Sequence, residues 1–346
     1  MTLTDVRDSV AQRGLGSRAL DLLKQREVGV LAAFVLVVVA TTIKNPNFLF
    51  SNDGFRDLLL TPSLLMLLAV GQAMVIITRN VDLSVGSVMG LTAYLVGTVF
   101  VEMPWIPWPA VFLIGLVFGG LLGLINGLVV AYAKVPSLVV TLGTLYAFRG
   151  INVMWTGSDR INASDMPRGF LDLGTSAVWR IPVITIIALA VLVAAGWYMS
   201  TQRAGREYYA MGSDPDAAVL YGLQVRRRLI TAFMVSGALA GLAGVLYAAR
   251  YGTVNSQVGS GYELQAVGAA VIGGVAIFGG SGTVFGAAIG AFLLMTINRA
   301  LPVLGVQDFW QQAVVGALII GAIVLDRFAA TRQERRLAKE REKSHG

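Results

Sequence analysis

The stretch AVFLIGLVFGGLLGLINGLVVAYA, Ala110–Ala133, holds 24 residues without one charge. A helix needs about 20 predominantly apolar residues to cross a bilayer core, so this run is long enough for a full span. Gly115, Gly119, Gly123 and Gly127 recur in it every four residues and so share one helix face. Small residues at that spacing let helix backbones approach closely where lipid supplies no hydrophobic drive.

Working outward, nine further apolar stretches appear: Val28–Ile43, Leu58–Ile77, Val81–Val101, Leu138–Trp155, Ile181–Met199, Leu229–Ala249, Leu264–Phe278, Val284–Ile297 and Phe309–Leu325. The fold class this predicts is all-α, a polytopic membrane protein with about ten transmembrane helices. The stretches at Leu264 and Val284 are short for spans and read as a hairpin joined through Gly279–Gly282, partly re-entrant. Gly282, Gly286 and Gly290, and Gly237 with Gly241, repeat the four-residue spacing. They are expected to pack helices tightly and are candidates for surfaces that slide during gating.

Composition agrees. Of 346 residues, 55% are apolar and 14% charged, against about 25% charged in a soluble chain. The absence of cysteine excludes disulfides, thiol nucleophiles and Cys-ligated metals. The single histidine, His345, lies in a polar tail, which excludes Ser–His–Asp triads and His-based metal sites. No catalytic, cofactor-binding or metal-ligating set emerges. The net charge of +7 has a topological explanation. With the N-terminus inside and ten crossings, 19 Lys/Arg fall on the cytoplasmic side and eight outside. That follows the positive-inside bias, puts both termini in the cytoplasm and requires no nucleic acid. The expected organisation is a cytoplasmic segment 1–27, a membrane domain 28–328 with a cytoplasmic loop 200–228, and a basic tail 329–346. The N-terminal stretch reads as an uncleaved anchor.

Only two acidic residues touch the stretches, Asp82 and Glu263, and both are expected at an edge. Ion-coupled transporters place ionisable groups at depth, so this pattern argues against ion coupling. GGSGTVFG from Gly279 lacks the Lys and Ser/Thr of a phosphate-binding loop, which argues against nucleotide hydrolysis by this chain. Uphill movement of a solute would therefore draw energy from another subunit. Asp82 and Ser84 open the third stretch, as helix caps or as functional groups.

The loop Ser200–Arg228 predicts a short helix over Pro215–Tyr221. Ser213 or Asp214 serves as N-cap, Pro215 suits the first turn, and Gly222 stops it. Ala217, Ala218, Leu220 and Tyr221 give it an apolar surface, to be covered by membrane or by a cytoplasmic partner.

Four segments, in order, resemble the permease subunits of bacterial monosaccharide ABC importers of the ribose/xylose/rhamnose group. They are TRNVDLSVGS (Thr78–Ser87), VPSLVVTLGTL (Val135–Leu145), GREYYAMGSDPDAAVLYGLQVRR (Gly205–Arg227) and GSGYELQAVGAAVIGGVAIFGGSGTVFG (Gly259–Gly286). The chain also resembles the permeases of autoinducer-2 importers, which move a small furanosyl signal. The resemblance implies a second permease, identical or not, two cytoplasmic ATP-binding cassette subunits that hold ATP and Mg, an extracytoplasmic sugar-binding protein, and residence in the bacterial inner membrane. It also implies that Arg206, Tyr209, Gly212, Asp214, Pro215, Ala217, Ala218 and Gly222 couple this chain to the ATPase. The solute would cross without a binding site of its own.

Overall fold

A computed structural model describes residues 26–307 and, beyond them, residues 310, 313, 314, 316, 317, 320, 321 and 324. The N-terminal segment, most of the stretch Phe309–Leu325 and the basic tail lie outside the described residues. The helices are α1 (Arg26–Lys44), α2 (Asn47–Phe50), α3 (Asn52–Ile77), α4 (Val85–Glu102), α5 (Ala110–Ala133), α6 (Ser137–Thr156) and α7 (Arg168–Thr175). A two-residue hairpin follows, β1 (Ala177–Val178) antiparallel to β2 (Ile181–Pro182), with Val178 opposite Ile181. Then come α8 (Val183–Thr201), α9 (Arg203–Ser213), α10 (Pro215–Leu220), α11 (Val225–Tyr251), α12 (Tyr262–Ile272) and α13 (Val284–Val303).

Among the described residues, eight helices are long and apolar enough to cross a membrane: α1, α3, α4, α5, α6, α8, α11 and α13. The chain is an all-α polytopic membrane protein. Its core surrounds α3, whose residues from Pro62 to Ile77 are all buried. Exposed Leu, Val, Ile and aromatic side chains on α1, α5, α6 and α8 form the outer surface that suits lipid.

Helices α5 and α11 make the most extensive contact in the fold, and glycine is the reason. A Cβ on Gly119 would collide with the Gly237 carbonyl, one on Gly237 with the Gly119 carbonyl, and one on Gly241 with the Gly115 carbonyl. Gly123 meets the backbone of Phe233, and Gly127 that of Ile230. Helices α12 and α13 mesh likewise: Gly286 lies against Gly273, and Gly290 against Ala269. Gly282 belongs to the loop before α13, with φ +112° and Val275 close against it.

Among the described residues, three span boundaries differ from expectation by six residues, and the others by four or fewer. Helix α3 starts six residues early, at Asn52, because the Ser51 hydroxyl accepts the Gly54 N–H at 2.8 Å. Helix α13 continues past Ile297 to Val303, a full span of 20 residues. Arg299, near its end, donates to the carbonyls of Gly54 (2.9 Å) and Phe48 (3.3 Å) and lies over the Phe48 ring. Its charge is thus held inside the corner between α2 and α3.

The third difference is a shortening. The stretch Leu264–Phe278 forms only an 11-residue helix, α12, ending at Ile272. The chain before it is non-helical, a bridge residue followed by linked turns, and runs back along α4. Val254 pairs with Ile161, and both side chains stand beside Gly97. The Val258 carbonyl packs on Gly90, and Gly259 with Glu263 on Gly86. Gly86 and Gly97 are about 16 Å apart at 1.5 Å per residue. The contacts Gly273–Gly286 and Ala269–Gly290 fix the antiparallel register of α12 on α13. Continued, that register brings Glu263 to the height of Thr296, about 18 Å up the roughly 30 Å length of α13. Residues 252–272 therefore form one broken crossing, half turns and half helical. Glu263 sits near its middle, not at the edge of a span.

Candidate functional site

The loop between α3 and α4 ties the spans to the segment α9–α10. Arg79 adopts φ +65°, unusual for a residue with a side chain. Its guanidinium donates to the carbonyls of Gly212 and Ser213, the last residues of α9. A cation at a helix C-terminus meets carbonyls without intrahelical partners and the negative end of the dipole. Gly212 packs so closely on the Ile77 carbonyl and the Gly280 N–H that no Cβ fits. Gly280 in turn donates its N–H to the Ile77 carbonyl at 2.9 Å, and the Tyr209 hydroxyl donates to the Gly282 carbonyl at 3.0 Å. The GGSG turn, the end of α3 and the end of α9 thus meet at one point.

Immediately after this point, Asp214 caps α10 by accepting the N–H groups of Asp216 (3.1 Å) and Ala217 (3.0 Å). Pro215 is the first helical residue, and Gly222 follows the helix with φ +76°. Ala218 is buried and Ala217 half-buried, whereas Val219, Leu220 and Tyr221 are 62%, 87% and 84% exposed. Beside them lies a groove lined by Tyr132, Leu223, Arg226, Arg227 and Ile230. Arg206 is exposed and donates to the Thr201 carbonyl at 2.6 Å, so it closes the end of α8.

The two helices flanking α10 are clamped together. The Glu207 carboxylate accepts from Arg228 at 2.5 Å and from Arg203 at 2.8 Å. The Arg228 hydrogen bond, helped by Arg203, holds its carboxyl below the usual carboxylate range. Tyr208 is fully buried, with its hydroxyl 2.8 Å from that of Thr231 on α11.

Asp82 and Ser84 prove to be more than a cap. Ser84 occupies the N-cap position of α4, but its side chain makes no capping bond. Instead the Asp82 carboxylate accepts the Ser84 N–H (3.0 Å), the Ser84 hydroxyl (2.7 Å) and the Ser236 hydroxyl from α11 (3.1 Å). Asn126 on α5 donates to the Ser84 hydroxyl at 2.8 Å. The Gln72 amide of α3 pairs with the Asp82 backbone, donating to its carbonyl at 3.0 Å and accepting its N–H at 3.2 Å. All of these residues are buried. From α6, Ser137 accepts the Val81 N–H (3.1 Å) and Thr141 donates to the Val81 carbonyl (3.2 Å). One seven-residue loop, 78–84, is therefore bonded to α3, α5, α6, α9 and α11.

The expectation that no ionisable group lies deep in the bundle does not hold, since Asp82 and Glu263 both do. Arg79 and the broken crossing are what sequence reasoning missed. The signals present were the shortness of the Leu264 stretch and the glycines at 252, 259 and 261, each with positive φ.

Residues 55–323 match the family model described as branched-chain amino acid transport system / permease component. The chain belongs to this family. Among its relatives is the autoinducer 2 import system permease protein LsrC of Klebsiella pneumoniae subsp. pneumoniae, 36% identical over 92% of each chain. The proteins of the same name from Enterobacter sp. and Yersinia pseudotuberculosis serotype O:1b are 35% and 33% identical. They cover 92% and 91% of this chain, and 93% and 89% of their own. No solved structure matches the chain. This protein is thus a permease of the ABC importer type, a transport component.

Proposed function

We propose that this chain is the membrane-spanning subunit of an ATP-driven importer whose cassette subunits seat on α10. The observation that carries the reading is a short, firmly capped helix presenting Val219, Leu220 and Tyr221 to solvent. Exposed apolar groups on a rigid mount suit burial in a partner. Arg79, the GGSG turn and the Glu207 clamp connect that mount to the spans, so a push on α10 reaches α3, α11 and α13 as a rigid displacement. ATP and Mg belong to the cassette subunits, and an extracytoplasmic binding protein delivers the solute. The permease pairs with a second permease, identical or homologous, in the bacterial inner membrane with both termini cytoplasmic. The distribution of Lys and Arg supports that orientation.

The solute in this reading is a small neutral polyhydroxylated molecule. The names of the relatives favour autoinducer-2, ahead of the ribose/xylose/rhamnose sugars. The family description and the relatives' names mention different solutes, so membership alone does not choose between them.

The test uses the full transporter in proteoliposomes, with uptake of autoinducer-2 and D-ribose and ATP hydrolysis measured together. Leu220→Asp is expected to leave insertion and ATP binding intact and to abolish uptake. Normal uptake by that variant would remove the docking role of α10. Solute movement by the chain alone on a proton or Na⁺ gradient would instead show a secondary transporter.

A further inference from the structure

The broken crossing carries polar chemistry that no packing role uses. Arg149 of α6 donates to the carbonyls of Val258 (2.8 Å) and Ser256 (3.4 Å), and Asn152 donates to Ser256 (3.4 Å). These bonds satisfy non-helical backbone at membrane depth, where water is not available to do so. Glu263, at the start of α12, packs on Gly86, one turn of α4 from Gly90, where the Val258 carbonyl held by Arg149 lies. One Glu263 oxygen accepts the Gly261 N–H at 3.2 Å; the other is shielded and has no hydrogen-bond partner. Thr296, 1% exposed and at the same height on α13, also has a hydroxyl without a partner.

This region opens sideways. Ser260 and Gly261 are exposed, Arg149 and Glu263 are half-buried, and nothing lies within 4 Å of a Cβ built on Gly150 or Gly261. A carboxylate, a guanidinium and an exposed non-helical backbone do not face hydrocarbon; at this depth they face protein or a water-filled path.

We propose that Glu263, Arg149 and Ser260, at the break between the non-helical half and α12, line the translocation path as a subsite for a neutral, hydroxyl-bearing solute. The chemistry fits that class. The Glu263 oxygen that accepts the Gly261 N–H keeps a lone pair, and with a donor-only guanidinium nearby it matches vicinal hydroxyls, each of which both donates and accepts. The pair has no net charge, so it gives a free anion or cation no advantage. This replaces the sequence-based expectation of passage without a site, and it rests on the importer reading above.

The chain has no cysteine, so single-cysteine variants of the full chain can be probed in membranes of cells expressing the whole transporter. Ser260→Cys and Gly150→Cys are compared with Val193→Cys and Leu121→Cys, which lie near mid-height on the lipid-suited faces of α8 and α5. The probes are four methanethiosulfonates, one glycosyl and neutral, one anionic, one cationic and one benzyl. The glycosyl reagent is expected to label the first pair at least about tenfold faster than the second, because a thiol in hydrocarbon ionises less readily by a pKa unit or more. It is also expected to react there no more slowly than either charged reagent. Adding Glu263→Gln to Ser260→Cys leaves Arg149 unbalanced and should speed the anionic reagent about tenfold. Labelling by the benzyl reagent alone, labelling by none, a preference for a charged reagent without Glu263→Gln, or no response to Glu263→Gln would each overturn the proposal. Uptake and ATP hydrolysis are not read in this test, so its failure is distinct from a failure of α10 to dock a cassette subunit.

Discussion

Arg79 reaches across from the end of α3 to the carbonyl of Gly212, while the Gly212 backbone rests on the Ile77 carbonyl directly before the Arg79 turn. Side chain and main chain thus grip the same joint from two directions. The joint lies two residues before the Asp214 cap of α10, so α10 is mounted directly against the end of α3, the most deeply buried helix of the bundle.

Arg79→Ala removes two hydrogen bonds from a charged donor, worth about 1.5–3 kcal/mol each. Uptake by the full transporter is expected to fall at least about tenfold while ATP hydrolysis persists. Arg79→Lys should recover only part, because an ammonium cannot reproduce the forked geometry. Equal uptake by the wild type and Arg79→Ala would show the joint to be dispensable.

Gly119 and Gly120 are adjacent and make a matched pair. A Cβ at Gly119 would collide with the Gly237 carbonyl, whereas one at Gly120 meets Ala238 at 3.6 Å, an ordinary contact. Gly119→Ala should destabilise the bundle by about 1–3 kcal/mol, and Gly120→Ala should be neutral or mildly stabilising. Thermal unfolding in detergent separates them, and similar values would mean that α5 and α11 part easily.

Asp82→Asn places a donor amide where the Ser84 N–H and two hydroxyls converge. The expected cost is about 1–3 kcal/mol, with Ser236→Ala costing less because only one bond is lost. The two can be compared by the fraction of protein surviving a heat step. No loss on Asp82→Asn would mean that the carboxyl is protonated in the native protein.

Glu207 gives a pH dependence. Arg228 holds its folded pKa below that of the unfolded chain, so ionised Glu207 stabilises the fold at neutral pH. That contribution begins to fade as pH falls to the usual carboxylate range near about 4 and is lost below the depressed folded value. Wild type should exceed Glu207→Gln in thermal stability between pH 6 and 8 by about 1 kcal/mol, and the gap should close on acidification. A gap independent of pH would show that the Arg228 contact contributes no charge-based stability.

Much of this was legible in the residues themselves. Apolar run lengths mark the spans, glycines four apart mark the faces of α5 and α11, and the Asp-Pro pair with the later glycine marks α10. These features act locally or along one helix face, where sequence spacing translates directly into geometry. The continuation of α13 past Ile297 was not legible, because Arg299 is satisfied by carbonyls of Gly54 and Phe48, more than 240 positions away.

What the sequence alone determined is that this is a helical membrane protein with a capped helix outside the apolar spans. The tertiary structure decided where its polar residues act. Asp82 and Glu263 look like edge residues because hydropathy sees only their chain neighbours. Their real surroundings are side chains and backbone from other helices, brought close where glycine leaves out a Cβ. Arg79 acquires its role in the same way. A guanidinium at a span end is unremarkable until a second helix ends beside it with its last carbonyls unpaired.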